Sequence, residues 1–584
     1  MVRIILCITF FGFSFISRAQ VFAPGRTTAW ENAGLTQPLA AYTNQISIID
    51  FGADPDGHNS CNQAFSQAIT SLDGRSGTIY FPVGEYFFDA VLVLPDSVFL
   101  KGESVETQLK FDLGGNGNLI QISGNSSSTT FDLAANATKG TNTLTLTDAS
   151  IFSVGNHIQL GMLDEDLMFS SWAYGTMGQV VEITEIDGNT LTLADPLNHH
   201  YPLWRTPSVK LKTPRTGVGI ECLSIERLDA STGQTSNIVI ENAFNCVVRN
   251  IESESTNFAH LDIRSSSHVQ VEGCFFHHAF AYGGGGQGYG VVTQSTSSFC
   301  LVQNNVFEHL RHSMLIQSGA NGNVFGYNYS SDPYWTEGGF FPANSAGDAV
   351  LHGNYAYLNL FEGNTVQNIV VDASHERNGP FNTFFRNRAE LFGFFSDPNT
   401  PTDSMNVVGN EITGSGGFPY GMLSINGNGH YSYCNNQNGT CVPNSTDQIA
   451  TNSLYLNTLS DYSFLGNNVL PMAGYPNQLN EKLVPAEERF ELNLPVSCAA
   501  EVVTSITESK EEIKLAELVD NVLQLAPSLL PATVAVYSAD GRLLQSRNIN
   551  SQRSELKLPA ASGIYLIAID GKSQSAAIKA ARLN

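Results

Sequence analysis

The chain has 584 residues, of which 14% are charged and 42% hydrophobic, with 52 Gly, 35 Phe and a formal net charge of −25. So acidic a chain excludes a general binder of nucleic acid or anionic lipid. The charge-poor, Gly-rich composition excludes a helical protein and favours strands joined by tight turns.

Residues 1–19 hold Arg3, an apolar run from Ile4 to Ile16, and Ser17-Arg18-Ala19. This predicts a signal peptide, too short for a membrane span, and hence a secreted or surface-attached protein in which disulfides are permitted. No later stretch approaches about 18 apolar residues, so no membrane span is expected. Residues 20–45 read as a loop segment and 46–495 as one extended domain. Within it, Ala64, Phe65, Ala68, Ile69 and Leu72 recur at helical spacing in CNQAFSQAITSL. That predicts a short amphipathic helix covering an open end of the fold. The acidic DPDG at 54–57 is a turn signal, with calcium as the other reading. Residues 129–200 contain hairpin-like strands around Asp-Gly turns and are expected to form a small β insertion, of the kind that walls a cleft.

From Asn237 to Asn410 one short pattern returns: alternating apolar residues, then Asn, then another apolar pair. Asn305 and Asn328, Asn364 and Asn387, and Asn387 and Asn410 are each 23 residues apart. A fixed period built from period-2 segments predicts an all-β solenoid, a right-handed parallel β-helix whose stacked coils share one core. Asn305, Asn328, Asn364, Asn387 and Asn410 are expected to stack at one turn and satisfy its buried amides. Cys222, Cys246, Cys274 and Cys300, about one coil apart, are expected to form an inward stack. Cys434 and Cys441 bracket NNQNGT and suit a loop disulfide. Residues 496–525 read as a charged linker and 526–584 as a small C-terminal β-sandwich.

The stretch ISIIDFGADPDG through DSVFLKGES resembles the N-terminal region of the pectate-lyase-like superfamily of rhamnogalacturonase-like, epimerase-like and tailspike proteins. The resemblance implies the β-helix fold and a carbohydrate partner. VYSADGRLL, SGIYLIAI and the final basic-apolar strand resemble the C-terminal sorting domain of type IX secretion cargo. That resemblance implies passage through the type IX machinery and removal of the tail.

Aligning AHLDIRS, GYGVVTQS, RHSMLIQS and GDAVLHG places His260, Tyr289, Arg311-His312 and Asp348 at the entry of successive coil strands. These, with His352, His375 and Arg377 nearby, are the candidate site of a groove for an acidic polysaccharide. His260, Tyr289, Arg311 and His312 are the candidate catalytic groups; Asp348, His352, His375 and Arg377 are candidate substrate ligands. Arg311 suits a two-point clamp on a uronate carboxylate, and His312, or His260 with Tyr289, suits proton exchange near neutral pH. HLRHSM is similar to an Arg-His pair of β-helix lyases of the alginate and dermatan type, which implies β-elimination. Two alternatives stand beside it. One is a polygalacturonase-like hydrolase using Asp348 and Asp372; the other is a non-catalytic, adhesin-like glycan binder. No bound metal is expected, calcium at Asp348, Asp372 and Glu376 being the remaining alternative.

Overall fold

In the computed structural model, residues 22–456 are described except 24, 339–340, 373, 444–448 and 450; so are 483–498 except 497, and the strands and adjoining residues of a C-terminal unit between 516 and 582. The expected signal peptide and residues 457–482 of the expected solenoid lie outside the described residues, while within the expected 46–495 span Pro485–Glu491 form a helix, not a coil, with Phe490 packed on Tyr329.

The described residues up to 498 form one compact unit built on a right-handed parallel β-helix. Each coil contributes up to three strands, and strands of successive coils pair in parallel. The first ladder runs from Gln45–Ser47 through Val98–Gly102, Gly219–Glu221 and Leu301–Gln303 to Tyr431–Tyr433. A second contains Thr107–Phe111, Ser224–Arg227, Phe275–His277 and Val306–Glu308. The third stacks Ile120–Ser123, Ile238–Glu241, Ala259–Arg264, Tyr289–Gln294, His312–Ile316 and Ala349–Leu351. Ladders two and three fuse where Thr365–Val371 and Arg388–Ser396 run through both without a break. Alternate residues of all three point inward into one continuous apolar core.

The asparagine ladder forms at the corner between the first two ladders. Asn305 N–H and Nδ2–H both donate to Asn328 Oδ1 at 3.0 Å. The same pair of bonds repeats from Asn328 to Asn364, Asn364 to Asn387, Asn387 to Asn410 and Asn410 to Asn435. A second ladder, not expected from the sequence, links Asn323, Asn359 and Asn382 at the corner entering the first strand ladder. The four coil cysteines are buried as expected but do not share one stack. Cys274 heads the first asparagine ladder, its N–H donating to Asn305 Oδ1, and Cys300 heads the second through Asn323 Oδ1. Cys246 shares the Cys300 column across Val269, and Cys222 occupies another turn. A 24- to 28-residue spacing fixes one residue per coil but not the position within the coil. The hairpin after Cys434 brings Cys434 and Cys441 into the same apolar cluster, but the expected disulfide between them is not formed.

The helix spans Asn62–Ser71 and buries Ala64, Phe65 and Ala68 against the first coil, with Ile69 partly buried. At the DPDG turn the Asp54 carboxylate accepts N–H bonds from Asp56 and Asn59, as an Asx turn does. The 20–45 segment is mostly irregular. Its Trp30 is buried and donates to Leu358 O at 2.7 Å.

The insertion is larger than its turn signals indicated: its sheet begins at Asn125–Asp132 and closes with Ser208–Thr213, so it spans 125–213 rather than 129–200. Six antiparallel strands surround a core of their own. The insertion leaves at the end of a third-ladder strand and packs along the corner that follows. Asn321 Nδ2 and Tyr357 Oη donate to Gly178 O, and Val180 N donates to Ser298 Oγ. Gly178 is required there, since a Cβ would stand 1.9 Å from Leu160 O.

The described residues from 516 onward form a second unit. Its four-stranded antiparallel sheet has the order Leu543–Ile549, Ala532–Ser538, Gly563–Gly571, Ser575–Arg582, and a second sheet includes Ala516–Val519 and Val522–Leu525. Part of the stretch read as linker therefore supplies strands. Among the described residues no helix is long and apolar enough to cross a membrane.

Candidate active site

Strand register decides which candidates meet. In the third ladder Ala259 aligns with Tyr289, and Tyr289 with His312, so Tyr289 and His312 share the outer face. His260 and Asp348 fall one residue later and point inward, and strict alternation breaks there, since Leu261 and Ala349, next along the chain, also lie in the core. His260 is fully buried, with Nδ1 2.9 Å from Ser253 Oγ and Nε2 3.0 Å from His278 O. Burial pushes its imidazole down to about 3. Asp348 is equally buried; it accepts from Ser330 Oγ and from the N–H groups of Gln367 and Asn368. Neither residue takes part in the outer cluster, and the sequence alignment had placed both in the wrong phase.

On the outer face five side chains form a continuous set. The Tyr289 and His312 rings lie 5.1 Å apart, His312 and His352 5.6 Å, and His352 and His375 5.1 Å. Tyr289 and His352 are themselves 6.4 Å apart. His352 reaches this place at the end of the column Arg264, Gln294, Gln317, and Asp372 continues it on the next coil. His352 Nδ1 meets Asp372 Oδ2 at 2.6 Å, and His312 Nδ1 meets Gly347 O at 3.0 Å. Each contact fixes a tautomer with Nδ1–H donating and Nε2 left as the basic nitrogen. Asp372 was expected only as a carboxylate of the hydrolase or calcium alternatives; here, one coil from His352, it holds that imidazole.

Arg311 does not form the expected open clamp. Its Nη1 donates to Gly283 O at 2.6 Å and to Tyr289 Oη at 3.4 Å, and its guanidinium lies 5.6 Å from the ring centroids of both Tyr289 and Trp335. At 8% exposure it sits behind the phenol. Burial pushes the Tyr289 phenol up to about 12, and the adjacent guanidinium works against that rise. His312 is held down at about 3 by burial, reinforced by Arg311 and His352. Burial also works to raise the Asp372 carboxyl, but His352 overcomes it and holds the group at about 2. Arg377 is exposed on the turn two residues beyond His375.

The insertion borders the cluster. Asn354 Oδ1 accepts the N–H groups of Phe169 and Ser170, Ser170 Oγ lies 3.0 Å from His375 Nδ1, and the Trp172 ring stands edge-on to His375 at 5.2 Å. His277, His278 and His309 lie apart, beside Glu252, Tyr282, Asp332 and Tyr334. Donor atoms of His312, His352 and Asp372 lie within 4.8 Å of one another and can hold a metal ion. The set is two-thirds nitrogen, which does not suit calcium, an oxygen-seeking cation. The all-oxygen calcium set of Asp348, Asp372 and Glu376 does not assemble, since Asp348 points inward.

The family model of rhamnogalacturonase A/epimerase, pectate lyase-like proteins matches residues 45–184. No curated protein matches the sequence. Among solved structures, the tailspike protein gp49 from Pseudomonas phage LKA1 aligns with a TM-score of 0.47 at 14% identity, over 63% of this chain and 70% of its own. The tailspike Gp54 of Acinetobacter baumannii bacteriophage AP22, in complex with a capsular saccharide, gives 0.37 at 12% identity, over 67% and 69%. A hyperthermoactive exopolygalacturonase from Thermotoga maritima gives 0.32 at 10% identity, over 70% and 94%.

Proposed function

We propose that the chain is a polysaccharide lyase, cleaving an acidic glycan by β-elimination on the outer face of the third ladder. The observation that carries this reading is the pairing of a carboxylate-oriented imidazole, His352 with Asp372, with a protonated phenol, Tyr289, backed by Arg311. Elimination needs a base for the proton next to the uronate carboxylate and an acid for the departing glycosidic oxygen. His352 Nε2 takes the carbon-bound proton and Tyr289 Oη gives its proton to the leaving oxygen. The carbon–oxygen bond breaks as the carbon–carbon double bond forms. Arg311 steadies the phenolate left behind, and the neutral His312 packs the phenol in place. His375 and Arg377 supply donors for the carboxylate, whose charge grows in the transition state.

A hydrolase needs two carboxyl groups across the scissile bond. Of the two proposed from sequence, Asp348 faces the core and Asp372 is engaged by His352, which favours elimination. The signal segment and C-terminal unit support a secreted or surface-attached protein carried by the type IX machinery. Mass spectrometry of the product from the native host tests this, because an intact C-terminus on the secreted protein excludes it. For the reaction, the tail-less protein is incubated with pectins, alginate and glycosaminoglycans while ultraviolet absorbance and reducing ends are followed. Unsaturated product is expected. Reducing ends without it mean hydrolysis, and retention without either means binding alone.

A further inference from the structure

A cavity of about 620 Å³ opens where the 25–28 segment, the insertion and the coil turns at 357–358 and 380–381 meet. That volume lies within the range of small-ligand sites. Its walls are Lys139, His199, His200, Tyr357, Leu358 and Phe381, with no carboxylate among them. Lys139 Nζ lies 4.6 Å from the centroid of the Phe381 ring, and the Arg26 guanidinium lies 5.1 Å from the same centroid. Among the described residues neither cation makes an ion pair. Arg26 is held by Asn406 Oδ1 and the carbonyls of Ser404 and Met405, and Lys139 by the carbonyl of Gly25 alone.

Two cations on one ring, in a chain of formal charge −25, are an arrangement that folding alone disfavours. Each loses hydration and repels the other, and the abundant carboxylates of the chain are absent from the cavity. Burial and then Arg26 bring the Lys139 ammonium down to about 8. An entering anion relieves both costs, while Phe381, Tyr357 and Leu358 offer apolar surface to the body that carries it. We propose that this cavity is a second, non-catalytic binding site for an acidic sugar, Lys139 receiving its carboxylate or sulfate group. The site shares no lining residue with the outer cluster, and rests on the elimination reading only in the choice of a sugar.

Ligand-observed NMR on the full chain tests it with sodium glucuronate, inorganic sulfate and uncharged glucose. The readout requires no turnover, so it stands or falls apart from the lyase assignment. Glucuronate is expected to bind saturably and glucose not. Displacement of glucuronate by sulfate shows that the charge is recognised; failure of sulfate to displace it restricts the site to carboxylates. Lys139→Gln is expected to weaken glucuronate by roughly tenfold or more, and Lys139→Arg to restore it. Absence of saturable glucuronate binding, undiminished binding in Lys139→Gln, or no recovery in Lys139→Arg each overturns the proposal.

Discussion

His352 Nδ1 and Asp372 Oδ2 lie 2.6 Å apart across neighbouring coils, although 20 residues separate them in sequence. The carboxylate holds the imidazole in one tautomer, with Nε2 as the base. Asp372→Asn keeps the size of the side chain but removes the charge that steadies the imidazolium formed on proton uptake. Turnover is expected to fall by about 10²–10⁴-fold with the melting temperature nearly unchanged. Initial rates of unsaturated-product formation, beside a thermal melt, check it.

Tyr289→Phe retains the ring that packs on Phe258 and His312 and removes only the hydroxyl. The expected outcome is loss of about 10²–10⁴-fold in kcat with KM little changed, because the proton is given only in the transition state. Arg311→Lys keeps a charge but not the paired contacts to Gly283 O and Tyr289 Oη, so kcat is expected to fall there too. A rise in KM alone in either variant assigns the residue to binding instead.

Acid stability follows from buried imidazoles. His260 and His312 are held at about 3, and His157 and His199 at about 4, in each case first by burial. Their folded values lie below the unfolded value near 6.5, so the unfolded chain binds the protons. The stabilisation is complete above about pH 6.5 and is lost as pH falls toward 4 and 3. Asp348 and Glu362, raised by burial to about 6 and about 7, act in the other direction and cost stability as pH rises through those values. Denaturant melts of the first unit from pH 7 to pH 3.5 are expected to show a steep decline below pH 6, and His260→Gln a shallower one.

Asn387→Ala removes the acceptor for two donors of Asn364 and the donor to Phe361 O and Asn410 Oδ1. All of these groups are buried, so a loss of roughly 1–3 kcal/mol is expected in urea unfolding. No change would show that water replaces the ladder.

The solenoid, its asparagine ladder and the helix at its end were legible because each repeats a local rule, a period of two within strands and 23 residues between coils. The site was less legible because the chemistry depends on face as well as coil. His260 and Asp348 occupy the right coils one residue past the outward position, where strand alternation breaks and two consecutive residues face the core, which no spacing reveals. Arg311 was found, but its role was not, since Trp335, which packs against it, comes from a loop 24 residues later. Lys139 and Arg26 carried no sequence signal at all. They are brought together by an insertion whose packing partners are far along the chain.

The way the coils resume after the insertion has a consequence for how this chain can vary. Strands Val98–Gly102 and Gly219–Glu221 pair directly, as do Ile120–Ser123 and Ile238–Glu241, as though nothing stood between them. The two ends of the insertion touch, a Cβ on Gly124 falling 2.5 Å from the Arg215 nitrogen. The 90 residues between them are a cassette on a continuous rod, and a short splice from Gly124 to Arg215 preserves the pitch. A different cassette at that splice changes the ring set around His375 while leaving Tyr289, His312, His352 and Asp372 on a scaffold that does not register the exchange.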